Sequence, residues 1–442
     1  MGNDLIARAK EDNVSFVSLQ FTDILGGIKS VTVPFDQLPR ALNEGIWFDG
    51  SSIEGLARIY ESDHLLVPDP ATYRVLPWSA PERRRARIFC DIHGSDGQPS
   101  PSDPRTLLKR ALAHAASKGY TFNTGPELEF FVFERSDGVP LQPVPHDVVG
   151  YFDFSPRDKA QQMRSDIVLA LQSLGIEVEM SHHEVATGQH EIDFRYANAL
   201  SSADNAVTFK YTVRAIAATY DLYASFMPKP IFGINGSGMH VHQSFADANG
   251  HNLFYDPQGK HNLSPLAESF VAGQLLHARA LAAIVAPTVN SYKRLTPGYE
   301  APVYICWAHR NRSALVRVPA VANNPGAIRM ELRCPDPSAN PYLAFTAMLA
   351  AGLDGIEKGL KPPAMVNEDI YHFDKEDLEK RGIGTLPGTL AEALQALEAD
   401  PVILAALGEP IAETFMRAKW DEWDEYRIRV TPWELERYLE TA

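Results

Sequence analysis

Three stretches of the chain set ionisable side chains two residues apart, with apolar residues between them. They are residues 125–134 (GPELEFFVFE), 238–245 (GMHVHQSF) and 327–333 (AIRMELR). Side chains alternate across a β-strand, so residues two apart share a face. Read as strands, the first puts Glu127 and Glu129 opposite Leu128, Phe130 and Val132. The second sets His240, His242 and Ser244 against Met239 and Val241. The third sets Arg329, Glu331 and Arg333 against Ile328, Met330 and Leu332. So many charges on one sheet surface are costly to bury unless metals and anions neutralise them. The pattern points to a site that handles metal and phosphate.

Two further carboxylates, Glu184 and Glu191, lie in residues 182–193 (HHEVATGQHEID). With Glu127, Glu129, Glu331 and His240 the set is five carboxylates and one imidazole. Hard oxygen ligands with a single nitrogen suit Mg²⁺ or Mn²⁺ better than zinc. Six ligands are enough for two ions with open positions, and paired ions can clamp a transferring phosphoryl group. One glutamate at this spacing ordinarily faces solvent, and one strand histidine is ordinarily just hydrogen bonded. The recurrence on three apolar-backed strands sets this group apart.

Residues 290–333 add Lys293, Arg294, Arg310, Arg312, Arg317, Arg329 and Arg333. Guanidinium is the planar fork for carboxylate and phosphate. There is no GxxxxGK[ST] motif, which excludes a P-loop enzyme, and no nucleophile elbow. Gly233, Gly236 and Gly238, just before His240, permit either close backbone approach or an ordinary tight turn.

The elements that must position these residues read as an α+β protein. A length of 442 residues suggests two or three domains. Hydrophobic content of 45% and charged content of 22% are ordinary for a globular chain. No run approaches the ~20 apolar residues of a membrane span, and the N-terminus carries no signal-peptide pattern. Cys90, Cys306 and Cys334 are odd in number and dispersed, which points to a reducing, cytoplasmic setting without disulfides. A formal net charge of -15 argues against nucleic acid as a partner, but not against small anions.

Residues 13–100 read as mostly β, with strands at 14–21, 28–33 and 87–91 and a Gly-rich loop at 48–58. The Pro/Ser-rich segment 97–104 is the expected joint between domains 1–100 and 101–442, with Ser102 or Asp103 capping a helix over 105–117. Further helices are expected at 159–174, 203–223, 264–286, 340–357, 389–398, 410–425 and 431–440. Residues 360–390 read as loop.

Taken together, the stretches FDGSSIEG, GPELEFFVFE, HHEVATGQHEID, NGSGMHVHQS, NSYKRLTPGYEAP, NRSALVRVP and RMELRCPDPSANPYLAF resemble class I glutamine synthetase, in that family's order and over most of the chain. The resemblance implies a small N-terminal β-grasp domain and a larger catalytic domain with a curved antiparallel sheet and surrounding helices. It implies a dodecamer of two hexameric rings, with each active site between subunits and the FDGSS loop donated by the neighbour. Glu129, Glu184 and Glu191 resemble the ligands of one metal, and Glu127, His240 and Glu331 those of a second, giving two or three Mg²⁺ or Mn²⁺ per site. Arg294 and Arg333, with Asn235 and Gly236, resemble the glutamate-binding residues, and Tyr151 resembles a lining of the ammonium pocket. Arg312 and Arg317 resemble the phosphate-handling pair; His242, Ser244 and Arg329 resemble nucleotide contacts. Asp49 resembles the carboxylate that binds and deprotonates ammonium, and Glu300 the flap residue that closes over the intermediate.

The implied reaction joins ammonia to the γ-carboxylate of L-glutamate, with ATP as co-substrate and γ-glutamyl phosphate as intermediate. The alternative acceptor is a small amine such as methylamine, ethanolamine or a polyamine. Leu56 and Gly326 depart from the residues many relatives carry near the nucleotide. The surroundings of Tyr371 (EDIYHFDKEDL) lack the pattern of the adenylylated subgroup, and Arg58 in EGLARI resembles a glutamine sensor of the feedback-inhibited subgroup.

Overall fold

The computed structural model describes residues 2–53, 63–135, 142–155, 158, 160–298, 301–321 and 324–441. The apolar run Val14–Thr22 is an inner strand of the first sheet. It pairs antiparallel with Ile28–Pro34 and parallel with Arg84–His93. Asp63–Pro68 and Ile46–Asp49 extend the sheet beyond Arg84–His93. Helices Gly2–Glu11 and Leu38–Glu44 send Leu5, Ala9, Leu38 and Ala41 into one core with Val17 and Leu19. This is a β-grasp domain. Neither helix was anticipated, and nor were the two outer strands, which are too short to show a period.

A second sheet of ten strands carries the chemistry. Along its main path the order is Gly384–Thr385, Tyr304–His309, Ala314–Val318, Met330–Leu332, Met239–Ala246, Thr121–Glu134, Gln189–Phe194 and Val178–His183, and Ala197–Asn198 and Leu222–Ser225 also pair with Thr121–Glu134. The expectation of an antiparallel sheet is corrected at one place. Tyr304–His309 and Ala314–Val318 run parallel, so the sheet is mixed. The third ionisable stretch is a strand only over Met330–Leu332, because Pro325 starts a 3₁₀ turn, Pro325–Ala327, just before it.

Helices back this sheet. Asp103 caps Pro104–Ser117 by accepting from the Arg105 and Thr106 amides at 3.2 and 3.1 Å. Arg105 is buried and fixes the two parts of the chain together. It meets Asp69 and Asp91 of the first sheet region at 2.8 Å each and Asp204 of helix Ala199–Thr219 at 2.9 Å. Asn340, the cap of Pro341–Glu357, donates to the Asp23 and Ile24 carbonyls across the same boundary. Gly26 lies at φ +82°, where a side chain would also strike the Asn340 backbone at 2.9 Å.

The long helix expected over 264–286 is two helices, Pro265–Leu276 and Ala278–Val285. The break falls at His277, whose ring lies between Asp400 Oδ2 at 2.6 Å and Asp354 Oδ2 at 3.1 Å. Asp400 caps Pro401–Leu407, a helix the sequence reading missed. The helix expected over 203–223 runs over Ala199–Thr219; the chain then reverses at Asp221 (φ 56°) into strand Leu222–Ser225. Among the described residues no helix is long and apolar enough to cross a membrane.

Burial, the largest influence on His277, lowers its pKa, but hydrogen bonds to Asp400 and Asp354 outweigh it and raise the pKa above the ordinary value. A raised native pKa stabilises the fold fully below the unfolded value of about 6.5 and ceases to do so as pH rises through the native one. His277→Leu is therefore expected to lower stability by about 2 kcal/mol at pH 6 and by less at pH 9, read from denaturant midpoints at the two pH values.

Candidate active site

Strand register, set by backbone hydrogen bonds, brings the ionisable residues together. Glu127 pairs with His240 and Glu129 with Glu191. Glu331 pairs with His242 on one side and Arg317 on the other. Met239–Ala246 alternates strictly between buried and half-buried positions, with His240, His242 and Ser244 on the open face, as its sequence implies.

Ligand atoms from Glu127, His240 and Glu331 lie within 4.8 Å of one another, and so do atoms from His182, Glu184 and Glu191. His240 Nδ1 is 3.6 Å from Glu127 and 3.7 Å from Glu331. Glu129 stands between the groups, 4.0 Å from His240, with its other oxygen accepting from Gly238 N at 2.9 Å and Gln189 Nε2 at 3.0 Å. His182 was not singled out from the sequence. Its Nε2 is 3.4 Å from Glu191, and its ring meets Phe152 and Tyr151 edge-on.

The electrostatics divide the site in two. Burial alone would raise Glu127 and Glu331. The imidazoles of His242 and His240, and for Glu331 the Arg333 guanidinium, outweigh it and hold both below the usual carboxylate range. Arg317 Nε and Arg333 Nε (3.1 Å) both donate to Glu331. On the other side burial and the charge of Glu184 push Glu129 up to about 8. Burial and the charges of Glu129 and Asp193 push Glu191 well up, and burial with the charge of Glu127 pushes Asp193 to about 7. Asp193 Oδ1 is buried without a hydrogen-bond partner. Oxygen donors that repel one another into protonation are what a hard divalent cation relieves, so the residues fit Mg²⁺ or Mn²⁺.

Both groups line one cleft of about 360 Å³, together with Tyr151, Asn235, Gly236, Arg294, Arg312, Arg317 and Arg333. Arg333 Nη1 is buried there without a partner, a cationic nitrogen suited to an anionic ligand. Arg294 is turned largely to structure: it donates to the carbonyls of Arg333, Cys334 and Pro335 at 2.9–3.1 Å. His242, Ser244 and Arg329 line an adjoining cleft of about 290 Å³ that shares Glu127 and Asp193 with the first. Arg329 Nε donates to His242 Nδ1 at 3.1 Å.

Asp49 lies elsewhere. It ends strand Ile46–Asp49 of the other sheet, exposed, and accepts from Ser51 N at 2.8 Å. Glu300, Arg58 and Leu56 fall outside the described residues.

A third group, His146, Asp147 and His190, is fully buried beside the site. Arg164 Nη1 lies 2.9 Å from His190 Nδ1. Arginine only donates, so His190 Nδ1 accepts, Nε2 carries the proton, and the ring is no metal ligand. Within this group Asp147 accepts from Gly188 N at 2.9 Å and faces His183 Nε2 at 3.1 Å, which fixes the turn between Glu184 and Glu191, while His190 Nε2 is buried without a partner.

Two family models match the chain. One describes the glutamine synthetase β-grasp domain, over residues 13–95, and the other the glutamine synthetase catalytic domain, over residues 101–438. A glutamine synthetase of Halobacterium salinarum is 52% identical over 97% of this chain and 94% of its own length. Among solved structures, ligand-free GmaS aligns with a TM-score of 0.89 at 36% identity, covering 99% of both chains. Plasmodium falciparum glutamine synthetase aligns with a TM-score of 0.90 at 26% identity, covering 99% of this chain and 98% of that one. A β-grasp domain beside a mixed sheet whose cleft gathers carboxylates and arginines fits a ligase of the class that works with ATP and divalent metal. The chain belongs to the glutamine synthetase family, and its activity is ATP-dependent formation of glutamine.

Glu331→Gln is expected to weaken one of two Mn²⁺ sites by at least about tenfold and leave the other, since Glu129, Glu184 and Glu191 are untouched. A Mn²⁺ titration followed by EPR reads both.

Proposed function

We propose that this enzyme forms glutamine by transferring the γ-phosphoryl group of ATP to the side-chain carboxylate of L-glutamate and then letting ammonia displace phosphate. The carrying observation is the register that sets Glu127 against His240 and Glu129 against Glu191, beside the unpartnered Arg333 nitrogen. Glu129, Glu184 and Glu191 would hold one divalent ion, with His182 adjoining, and Glu127, His240 and Glu331 a second. When bound, the ions supply positive charge to the phosphoryl group in transfer.

A carboxylate is a poor acyl donor because oxide is a poor leaving group; as an acyl phosphate it can lose phosphate instead. Arg333, with Asn235 and Gly236, orients glutamate. Gly236 is required, since a Cβ there would lie 2.3 Å from the Pro228 carbonyl. Arg312 and Arg317 stabilise the charge that moves onto the phosphoryl oxygens. His242, Ser244 and Arg329 hold the nucleotide. Ammonium enters beside Glu184 and Tyr151, and a carboxylate takes its proton so that the free amine attacks. Asp49 is the proposed acceptor, donated by a neighbouring subunit; its position on the other sheet, away from its own cleft, supports this. Glu300 would close the pocket and keep water from the acyl phosphate.

The same reading makes the enzyme a cytoplasmic dodecamer of two hexameric rings, each chain jointed near residues 97–104 between domains 1–100 and 101–442. Three buried free cysteines support the reducing compartment. It also places the chain in the non-adenylylated, feedback-inhibited subgroup, with Arg58 sensing glutamine. Tyr371 donates its hydroxyl to the Ala301 carbonyl at 2.9 Å, which supports the absence of adenylylation. Mass spectrometry of enzyme from nitrogen-replete cells is expected to find no AMP on Tyr371; finding it would remove that assignment.

ADP release with glutamate should be compared across ammonium, methylamine, ethanolamine and a polyamine. The proposal expects ammonium to give the highest kcat/KM. One methyl in an apolar pocket is worth about 1–3 kcal/mol, so a preference for methylamine would reassign the acceptor.

A further inference from the structure

The amide of Gln189 joins two parts of the site that are far apart in sequence. Its Nε2 lies 3.0 Å from Glu129 Oε2, 3.1 Å from the Gly236 carbonyl and 3.4 Å from Ser237 Oγ. Its Oε1 accepts from Ala186 N at 3.3 Å. Its main chain closes the turn that carries Glu184: Glu184 N donates to the Gln189 carbonyl at 2.8 Å, and Gln189 N to Ala186 O at 2.9 Å. The residue is 1% exposed, so water cannot substitute for these partners.

A carboxamide nitrogen carries two hydrogens in one plane. One serves the Glu129 carboxylate, and the other reaches Gly236 and Ser237. Rotation of the Glu129 carboxylate therefore displaces the donor that holds the Gly236 peptide. The loop has little slack to absorb that displacement. Ser237 N donates to the Pro228 carbonyl at 2.8 Å, and Gly238 N donates to the same Glu129 oxygen at 2.9 Å.

We propose that Gln189 is a positioning residue that couples the first divalent ion to glutamate binding. An ion at Glu129, Glu184 and Glu191 fixes the Glu129 carboxylate, and Gln189 passes that orientation to the Asn235–Gly236 loop, so each ligand tightens the other. This rests on the ligand assignments proposed above. A purely structural glutamine would change both affinities without changing their linkage. A coupling residue changes the linkage itself, and linkage between two binding sites is reciprocal.

The test uses the full-length enzyme and the variants Gln189→Met, which keeps length and volume but has no donor, and Gln189→Glu, which keeps shape but sets a carboxylate against Glu129. Calorimetry gives the glutamate Kd with and without saturating Mn²⁺, and the Mn²⁺ Kd with and without glutamate, all without nucleotide. ADP binding in Mg²⁺ reports whether the adjoining cleft is intact in each variant. In the wild type, Mn²⁺ is expected to tighten glutamate about tenfold, and glutamate to tighten Mn²⁺ by the same factor. In a variant that still binds ADP, both ratios are expected to fall to within about twofold of one. A variant that keeps the wild-type ratios overturns the proposal. If neither variant folds, a wild-type ratio near one still overturns it. A wild type that binds no glutamate at all, with Mn²⁺ present, instead removes the ligand assignments on which the proposal stands.

Discussion

Carboxylates that face one another across hydrogen-bonded strands are the constraint on which the rest of this molecule depends. Register between Thr121–Glu134, Gln189–Phe194 and Met239–Ala246 is fixed by the backbone and by apolar residues on the far face. The glutamates cannot separate without breaking that register. Glu331 is neutralised from within the protein by Arg317 and Arg333. Burial and neighbouring carboxylates hold Glu129, Glu191 and Asp193 above the usual carboxylate range, against a smaller opposing effect of Arg294 and Arg333 on Glu129. The half around Glu331 carries part of its counter-charge within the polypeptide. The half around Glu129 and Glu191 carries less, and cations bound at either half would also stabilise the folded state by mass action.

Buried polar contacts hold the scaffold around the site. Asp147 ties His183 to the Gly188 amide and holds the turn that delivers Glu184 and Glu191. Arg105 gathers Asp69, Asp91 and Asp204 at the boundary between the two sheets. Removing one partner from such a buried group leaves an uncompensated charge, so these contacts hold geometry more than they add net stability. The proposed sharing of an active site between subunits places a demand on this boundary, because the β-grasp sheet must then present Asp49 at a fixed place to a neighbour.

Much of the chemistry was legible because period-two alternation is visible in short strands. It separated Glu127 and Glu129 from Leu128 and Phe130, and His240 and His242 from Val241; the observed burial follows for Glu127, His240 and His242, while Glu129 is buried like its apolar neighbours. The same rule contained more than was taken from it. His182 shares a face with Glu184, and Gln189, Glu191 and Asp193 share another. Carboxylates drew attention, and the imidazole, amide and second acid beside them did not. Pairing register was not legible, since alternation within a strand says nothing about which residue of the next strand it meets. The break at His277 was hidden because its helices are apolar on nearly every side and the pattern continues across it. The resemblance gives Arg294 as a glutamate-binding residue; it lines the cleft, and its hydrogen bonds to three backbone carbonyls are a feature that no sequence pattern reveals.

The central claim is that solution cations, held by glutamates from distant strands, make this cleft able to activate a carboxylate. Anomalous diffraction at the manganese edge, from crystals grown with Mn²⁺, a non-hydrolysable ATP analogue and glutamate, measures this directly. The account predicts one ion among Glu129, Glu184 and Glu191 and another among Glu127, His240 and Glu331. Manganese absent from both positions, with the carboxylates in the same register, would contradict it.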